Sequence, residues 1–250
     1  MPSPRLSDSR QLTRDQRDAL LEFGARTTWP AGFTIYERGA SADGVFIVLS
    51  GQVVLRTPHN GGRNFIPWVA MPGETFGGEG MEAGAHYATI ARTEEETETL
   101  HLSSTRFSAL VRERPARALA LMGQIVSERT GLLETFARHV TLSVEQRLIA
   151  SLLRLSRPRN DTTGDEIGTG TISVSRRLIG EMVGATREST SLVLGKLAAE
   201  GLVTRDGQRV AIADLNALLA RFEMIRKGDA SQTADREARD SKVGLEMANS

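Results

Sequence analysis

Ser175-Arg-Arg-Leu-Ile-Gly-Glu-Met-Val-Gly-Ala-Thr-Arg-Glu-Ser-Thr-Ser-Leu-Val-Leu194 is the stretch on which the reading of this chain turns. Leu178, Ile179, Met182 and Val183 recur at helical spacing, which predicts a short helix with one buried stripe. Gly184 ends it, and Thr186 is placed to cap a second helix in which Thr190, Val193, Leu194 and Leu197 share a face. Two short helices joined this tightly form a helix-turn-helix pattern. At roughly 100° per residue, Glu188, Ser191, Leu192 and Gly195 gather opposite that stripe, while Arg187 projects from the first turn. An ordinary pair of packed surface helices has the same spacing; the segregation of faces and the hairpin downstream weigh against it.

Helices that read DNA touch base edges with their N-terminal turns, where Arg pairs bidentately with guanine and Glu accepts from cytosine N4. Arg187 and Glu188 are therefore the expected base readers, with Ser191 and Leu192 beside them on the exposed face. Ser175, Arg176 and Arg177 begin the first helix, where it crosses the backbone, and are assigned to phosphates together with Thr186 and Ser189. Arg205-Asp-Gly-Gln-Arg209 carries an Asp-Gly hairpin signal between Leu202-Val203 and Val210-Ala-Ile212, predicting a small β-wing.

Within this stretch, Ile179-Gly-Glu-Met-Val-Gly-Ala-Thr-Arg-Glu-Ser-Thr190 resembles the DNA-binding motif of the Crp/Fnr superfamily of bacterial transcription regulators, and the resemblance runs from about Leu20 to Ile212. It implies an α+β chain with an N-terminal cyclic-nucleotide-binding-like β-roll, a long dimerisation helix and a C-terminal winged helix-turn-helix. The boundaries that follow are 1–113 for the effector-sensing roll, 114–140 for the dimerisation helix and hinge, 141–226 for the DNA-binding domain and 227–250 for a disordered tail. It also implies a homodimer on an inverted-repeat operator in double-stranded DNA, with RNA polymerase as a further partner. Arg187 and Glu188 match the family's guanine and cytosine readers, in a TGTGA-type element, whereas Leu192 stands where cAMP-binding members carry Arg.

Composition is that of an ordinary water-soluble chain long enough for two cores, with 40% hydrophobic and 25% charged residues among 250. Lys plus Arg and Asp plus Glu both number 31, so no global field advertises nucleic acid and the signal has to be local. Even between Thr171 and Val210 the excess is six basic against four acidic residues, and specific placement carries the inference. The absence of cysteine excludes a disulfide framework, a thiolate nucleophile and a cysteine-ligated iron–sulfur cluster, and with the last the family's oxygen-sensing branch. Met1 to Asp18 has no apolar core of a signal peptide, and no later run is long enough to span a bilayer, so the cytoplasm is the expected location and no membrane partner is expected. His59, His101 and His139 lack metal-ligand spacing, and no metal is expected.

Thr13 can cap a short helix that carries Leu20, Leu21 and Phe23 and ends at Gly24. From Trp29 to Leu102, short β-like runs such as Val45–Leu49 and Gln52–Leu55 are punctuated by Gly32, Gly39, Gly44, Gly51, Gly61, Gly62 and Gly73, a texture of antiparallel roll or barrel. Gly77-Gly-Glu-Gly80 is the candidate effector loop, since successive glycines let backbone N–H groups approach an anion; a tight turn explains it equally well. By the family's pattern, cAMP binders carry a Gly-Glu pair here and an Arg-Ser pair further on. In this chain the glutamate position is Gly78, with Glu79 one place late, and the Arg-Ser pair becomes His86-Tyr87. Neither His nor Tyr supplies the permanent bidentate charge of Arg. His86 stays open to several readings: a pH-titrating group, a haem or metal ligand, a stacking partner with Tyr87, or an ordinary residue of a β-domain.

Phe107 to Arg112 reads as a short helix, and Pro115 opens a longer one to about Ala137. Ala118, Met122, Ile125, Arg129, Leu132, Phe136 and His139 follow a four-three spacing along it, a narrow seam suited to a two-stranded coiled coil. Arg129 interrupts the seam and either sets register or couples to a ligand. The positions where the family's polar residues reach the cAMP base are Leu132 and Leu133. The effector pocket is therefore drawn around Gly77, Gly78, Glu79, Gly80, His86, Tyr87, Arg129, Leu132 and Leu133, with an unknown effector other than cAMP and no cofactor firmly implied. Thr141 to Leu155 is a strongly amphipathic helix after a hinge near Arg138 to Leu142; a loop follows over 157–170; and Asp214 caps a helix bearing Leu215, Leu218, Leu219 and Phe222. No nucleophile–base pair stands out, so an enzyme is not expected. The alternatives are a ligand-independent regulator, its roll filled by Leu132, Leu133 and Tyr87, and a cyclic-nucleotide-responsive regulatory subunit of an enzyme.

Overall fold

Turn-forming residues between Ala25 and Leu102 cut the chain into eight strands, all paired antiparallel in two four-stranded sheets. The computed structural model describes residues 11–58, 64–156 and 174–226. In one sheet the neighbours are β1 (Ala25–Trp29), β8 (Thr97–Leu102), β3 (Gly44–Ser50) and β6 (Thr75–Gly80). In the other they are β2 (Thr34–Tyr36), β7 (Ile90–Thr93), β4 (Val53–Pro58) and β5 (Asn64–Ala70). Strand β3 is buried on both faces, which is why Val45-Phe-Ile-Val-Leu49 reads as a continuous apolar run. Val48 joins Tyr36, Trp68, Phe76 and Tyr87 inside the roll, while Val45 and Ile47 point the other way, to a second cluster with Leu100, Leu102, Leu110 and Leu121.

Thr13 caps α1 (Arg14–Asp18) through a capping box with Gln16. The expected single helix to Gly24 is interrupted, because Leu21–Phe23 forms a separate 3-10 turn. Ser103 caps α2 (Ser104–Glu113), and α3 (Pro115–Thr141) begins on its proline and runs past the expected end at Ala137. Next, α4 (Val144–Leu155) starts at a Ser143–Gln146 capping box, not at Thr141. Arg147 accounts for both boundaries: its guanidinium donates to the carbonyls of Leu142 at 2.7 Å and His139 at 3.4 Å, closing the C-terminus of α3, and to that of Val183 at 2.9 Å. One side chain thus ties the long helix to the element that follows.

Three residues of the seam expected on α3 are occupied within the chain itself. Ala118, Ile125 and Leu132 pack against the chain's own roll, beside the fully buried Leu121. The face left exposed is Leu119, Met122, Val126, Arg129, Leu133, Phe136 and Val140, a three-four spacing whose apolar members are between 48% (Met122) and 87% (Val140) exposed. A four-three pattern and its neighbour both fit this helix, and contact with the sheet covers part of the first while leaving the second exposed.

Beyond the roll come α5 (Arg176–Val183), α6 (Arg187–Ala199) and a three-stranded sheet in which β9 (Val174–Ser175) and β10 (Val203–Asp206) flank β11 (Arg209–Ile212). A last helix, α7 (215–226), is capped by Asp214, whose carboxylate accepts from the Ala217 amide at 2.9 Å. The core of this unit is shared with the roll: Val54, Ile66, Val69 and Met71 cluster with Leu148, Leu152, Leu178, Ile179, Met182 and Leu194. Polar contacts reinforce the junction. The Arg154 guanidinium lies 3.5 Å from the Trp68 ring centroid and bonds the Val69 carbonyl at 2.8 Å and Glu74 at 3.1 Å, and buried Arg56 pairs with both Glu94 and Glu181. The loop expected at 157–170, the tail beyond Lys227 and His59 lie outside the described residues. No helix among those described is long and apolar enough to cross a membrane.

Candidate nucleic-acid interface

The turn between α5 and α6 is built by three local devices. Ser175 Oγ accepts from the Leu178 amide at 3.1 Å and starts α5. Gly184 ends it with φ 61°, a left-handed conformation that an L side chain adopts only under strain. Thr186 Oγ1 then accepts from the Ser189 amide at 3.2 Å and starts α6. Thr190, Leu194 and Leu197 are buried beneath α6, with Val193 partly so, leaving Arg187, Glu188, Ser191 and Leu192 exposed on one side.

A groove of about 450 Å³ runs between the two helices, and Arg176, Arg177, Arg187, Ser191 and Gln208 are among its walls. Gln208 comes from the wing turn, and its carbonyl accepts from the Arg176 amide at 2.8 Å, fixing the wing against the start of α5. The wing's Arg205 reaches α6, since a Cβ added at Gly195 would lie 3.5 Å from its guanidinium. The hydroxyls of Ser175, Thr186 and Ser189 are engaged in capping bonds, and Arg176, Arg177 and Arg187 line the groove with positive charge. Arg177 is exposed but shares Glu181 at 2.9 Å, which raises its pKa through that hydrogen bond and the attendant charge. Gln208 and Arg205 were not singled out from the sequence; the Asp-Gly turn between them was the signal.

The expected effector pocket is only partly assembled. Gly77–Gly80 is the end of strand β6 and not a loop; Gly80 pairs with Gly44, and Gly44's backbone blocks any side chain there. Gly78 lies against α3, where a Cβ would come within 2.9 Å of Ile125 Cγ2. Tyr87 is buried and stacks on Tyr36 with centroids 3.7 Å apart, whereas neighbouring His86 is exposed on the rim, bridged to Ser41. Leu132 packs on the roll, but Leu133 is 71% exposed and points away from it, because one residue turns a helix through about 100°. Arg129 approaches Glu79 at 4.0 Å.

Two buried polar residues that the sequence pattern does not mark lie where α3 packs on the roll. Glu128 is buried on α3 and accepts from Thr75 Oγ1 at 3.0 Å, and burial, opposed by that bond, lifts its pKa to about 8. Gln124, one turn earlier, is buried with neither amide atom partnered among the described residues. Burial also raises the hydroxyl pKa of Tyr36 and, less strongly, Tyr87. These buried groups are aromatic rings, an amide and a carboxyl that burial keeps protonated at neutral pH, and none brings a positive charge to meet a phosphate. No group of His, Asp or Glu able to hold a metal occurs among the described residues.

Residues 26–114 match the cyclic nucleotide-binding domain family, and residues 127–221 match the Crp-like helix-turn-helix domain family. The Cyclic AMP receptor protein of Thermus thermophilus is 29% identical over 196 residues, covering 77% of this chain and 85% of that protein. The Nitrogen fixation regulation protein FixK of Azorhizobium caulinodans is 27% identical over 228 residues, covering 87% of this chain and 89% of its own length. Among solved structures, the c-di-GMP responsive global regulator CLP of Xanthomonas campestris superposes with a TM-score of 0.64 at 24% identity, covering 80% of this chain and 99% of that one, a likeness of fold.

Proposed function

This chain belongs to the Crp/Fnr superfamily of transcription regulators, and from that premise we propose that it is a cytoplasmic, sequence-specific DNA-binding regulator, not an enzyme, acting as a homodimer on an inverted repeat. The observation that carries the reading is the exposed row Arg187, Glu188, Ser191 and Leu192 on a helix capped and packed to present it. Arg187 and Glu188 read a G·C pair each, and Arg176 and Arg177 hold phosphates. One such unit spans too few base pairs to be selective, and the exposed apolar face of α3 supplies a self-complementary surface for a second copy. Two copies joined through that face by a two-fold axis are to present their α6 helices about 34 Å apart, one turn of DNA. RNA polymerase is the further partner.

The effector is a small molecule other than cAMP. Gly78 offers no carboxylate, His86 faces outward, and the buried polar side chains on α3 are Gln124 and Glu128. The names of the relatives point to different ligands, cyclic AMP for one and c-di-GMP for another, so kinship does not select one. A ligand-independent regulator is the second reading, favoured by the Tyr36–Tyr87 stack and the contact of Gly78 with Ile125, which fill the roll with the chain's own atoms. Selection of duplexes from a random-sequence pool by the purified chain, with and without metabolite extract, tests both. An enriched inverted repeat is expected; pools that stay random end the DNA reading, and identical enrichment with and without extract favours the ligand-independent form.

A further inference from the structure

The surface around the start of α5 does not stop at the winged helix. Arg177 lines two depressions: the groove between α5 and α6, and a cleft of about 200 Å³ against the roll, whose other walls include Gly32, Arg56, Arg92 and Glu94. Arg56 is buried and holds both Glu94 and Glu181, and Arg177 shares Glu181, so these four groups compensate one another. Arg92, exposed on β7, has no side-chain hydrogen bond or ion pair among the described residues. Three arginines against two carboxylates leave one positive charge in excess, and it resides on Arg92. Its strand is paired on both sides, with Thr34 and with Val54, so the guanidinium stands on a rigid base. Such a fork matches a phosphate diester better than a mobile ammonium does.

We propose that this cleft is a second contact with the DNA backbone: Arg92 of the roll, beside Arg177, takes a phosphate of the duplex flanking each half-site. The continuity through Arg177 favours a phosphate already attached to the DNA that α5 holds. It follows that the roll touches the operator directly, and that any shift of the roll relative to α5 changes DNA affinity without moving α6. This inference rests on the DNA reading proposed above.

The test uses the full-length chain and a duplex selected by it, prepared in two lengths: one trimmed to the outer edges of the half-sites, one extended at each end by about one helical turn. Arg92→Ala is expected to leave affinity for the trimmed duplex unchanged, to weaken the extended one, and there to reduce the slope of log affinity against log salt by about one per protomer. Arg92→Lys should restore most of that slope. Glu94→Gln, which removes a negative charge from the cleft, should strengthen only the extended complex. An unchanged slope for Arg92→Ala on the extended duplex, or equal loss at both lengths, overturns the proposal. Arg187→Ala is the control for its premise: it should weaken both lengths, and no effect on either would remove the DNA reading and this inference with it.

Discussion

Leu192 sits on the exposed side of α6 at 77% exposure, in reach of a groove but with nothing to donate. An apolar side chain there suits a thymine methyl, so selected sites are expected to show A·T or no preference at that pair, and strict G·C would misplace the helix. Arg187→Ala should cost about 1 to 3 kcal/mol on the preferred site and relax one position, while Arg176→Ala should weaken all sequences alike. Binding isotherms on single-substituted duplexes distinguish the two. Inside the roll, Glu128 has its pKa raised by burial from 4.5 to about 8. Between those values the folded chain holds a proton that the unfolded chain has released, so the stabilisation is complete below 4.5 and is lost as pH rises through 8. One such group changes the folding equilibrium by up to about tenfold per pH unit. Denaturant titrations at fixed protomer concentration should therefore show Glu128→Gln flattening the pH dependence and gaining stability at pH 8; parallel curves for the two proteins would remove the effect.

Among the elements, α3 shows how far a periodic pattern can be read. Its apolar residues cover more than half the circumference, so the spacing allowed two neighbouring seams, and the choice lay in contacts with a sheet distant in sequence. Met122, Arg129 and Phe136 belong to both. The two faces answer differently to charge: Val126→Asp with Leu133→Asp should yield folded monomers that no longer retain the operator, whereas Ile125→Asp, facing Gly78, should destabilise the roll itself. Sedimentation and thermal melting on the same samples separate these outcomes, and dimers that persist in the first variant would rule out this face. The helix-turn-helix and the wing were legible because Gly184, Thr186 and Asp206-Gly207 are local signals, each fixing its turn within a few residues. Gly77–Gly80 misled because glycines serve close packing as readily as loops; here Gly78 makes room for α3 and Gly80 for Gly44.

For the whole molecule, calorimetry is expected to find no micromolar affinity for cAMP, since the groups that would meet its phosphate are an outward His86 and a Tyr87 committed to Tyr36. A micromolar isotherm would overturn that assignment of the roll. The order of units along the chain was readable from texture, strands giving way to long helices; their mutual fit was not. Arg56 meets Glu181 across 125 positions, and Arg154 meets Trp68 from another helix, pairings that no local spacing encodes. The cluster joining Val54, Ile66, Val69 and Met71 to the winged helix has a bearing on descent. A reading head whose interior is completed by its neighbour is not a cassette. Joining a foreign roll to this head requires a matching apolar face on β4 and β5, or the chimera loses part of its interior. Point changes on the exposed face of α6, by contrast, leave that shared interior intact.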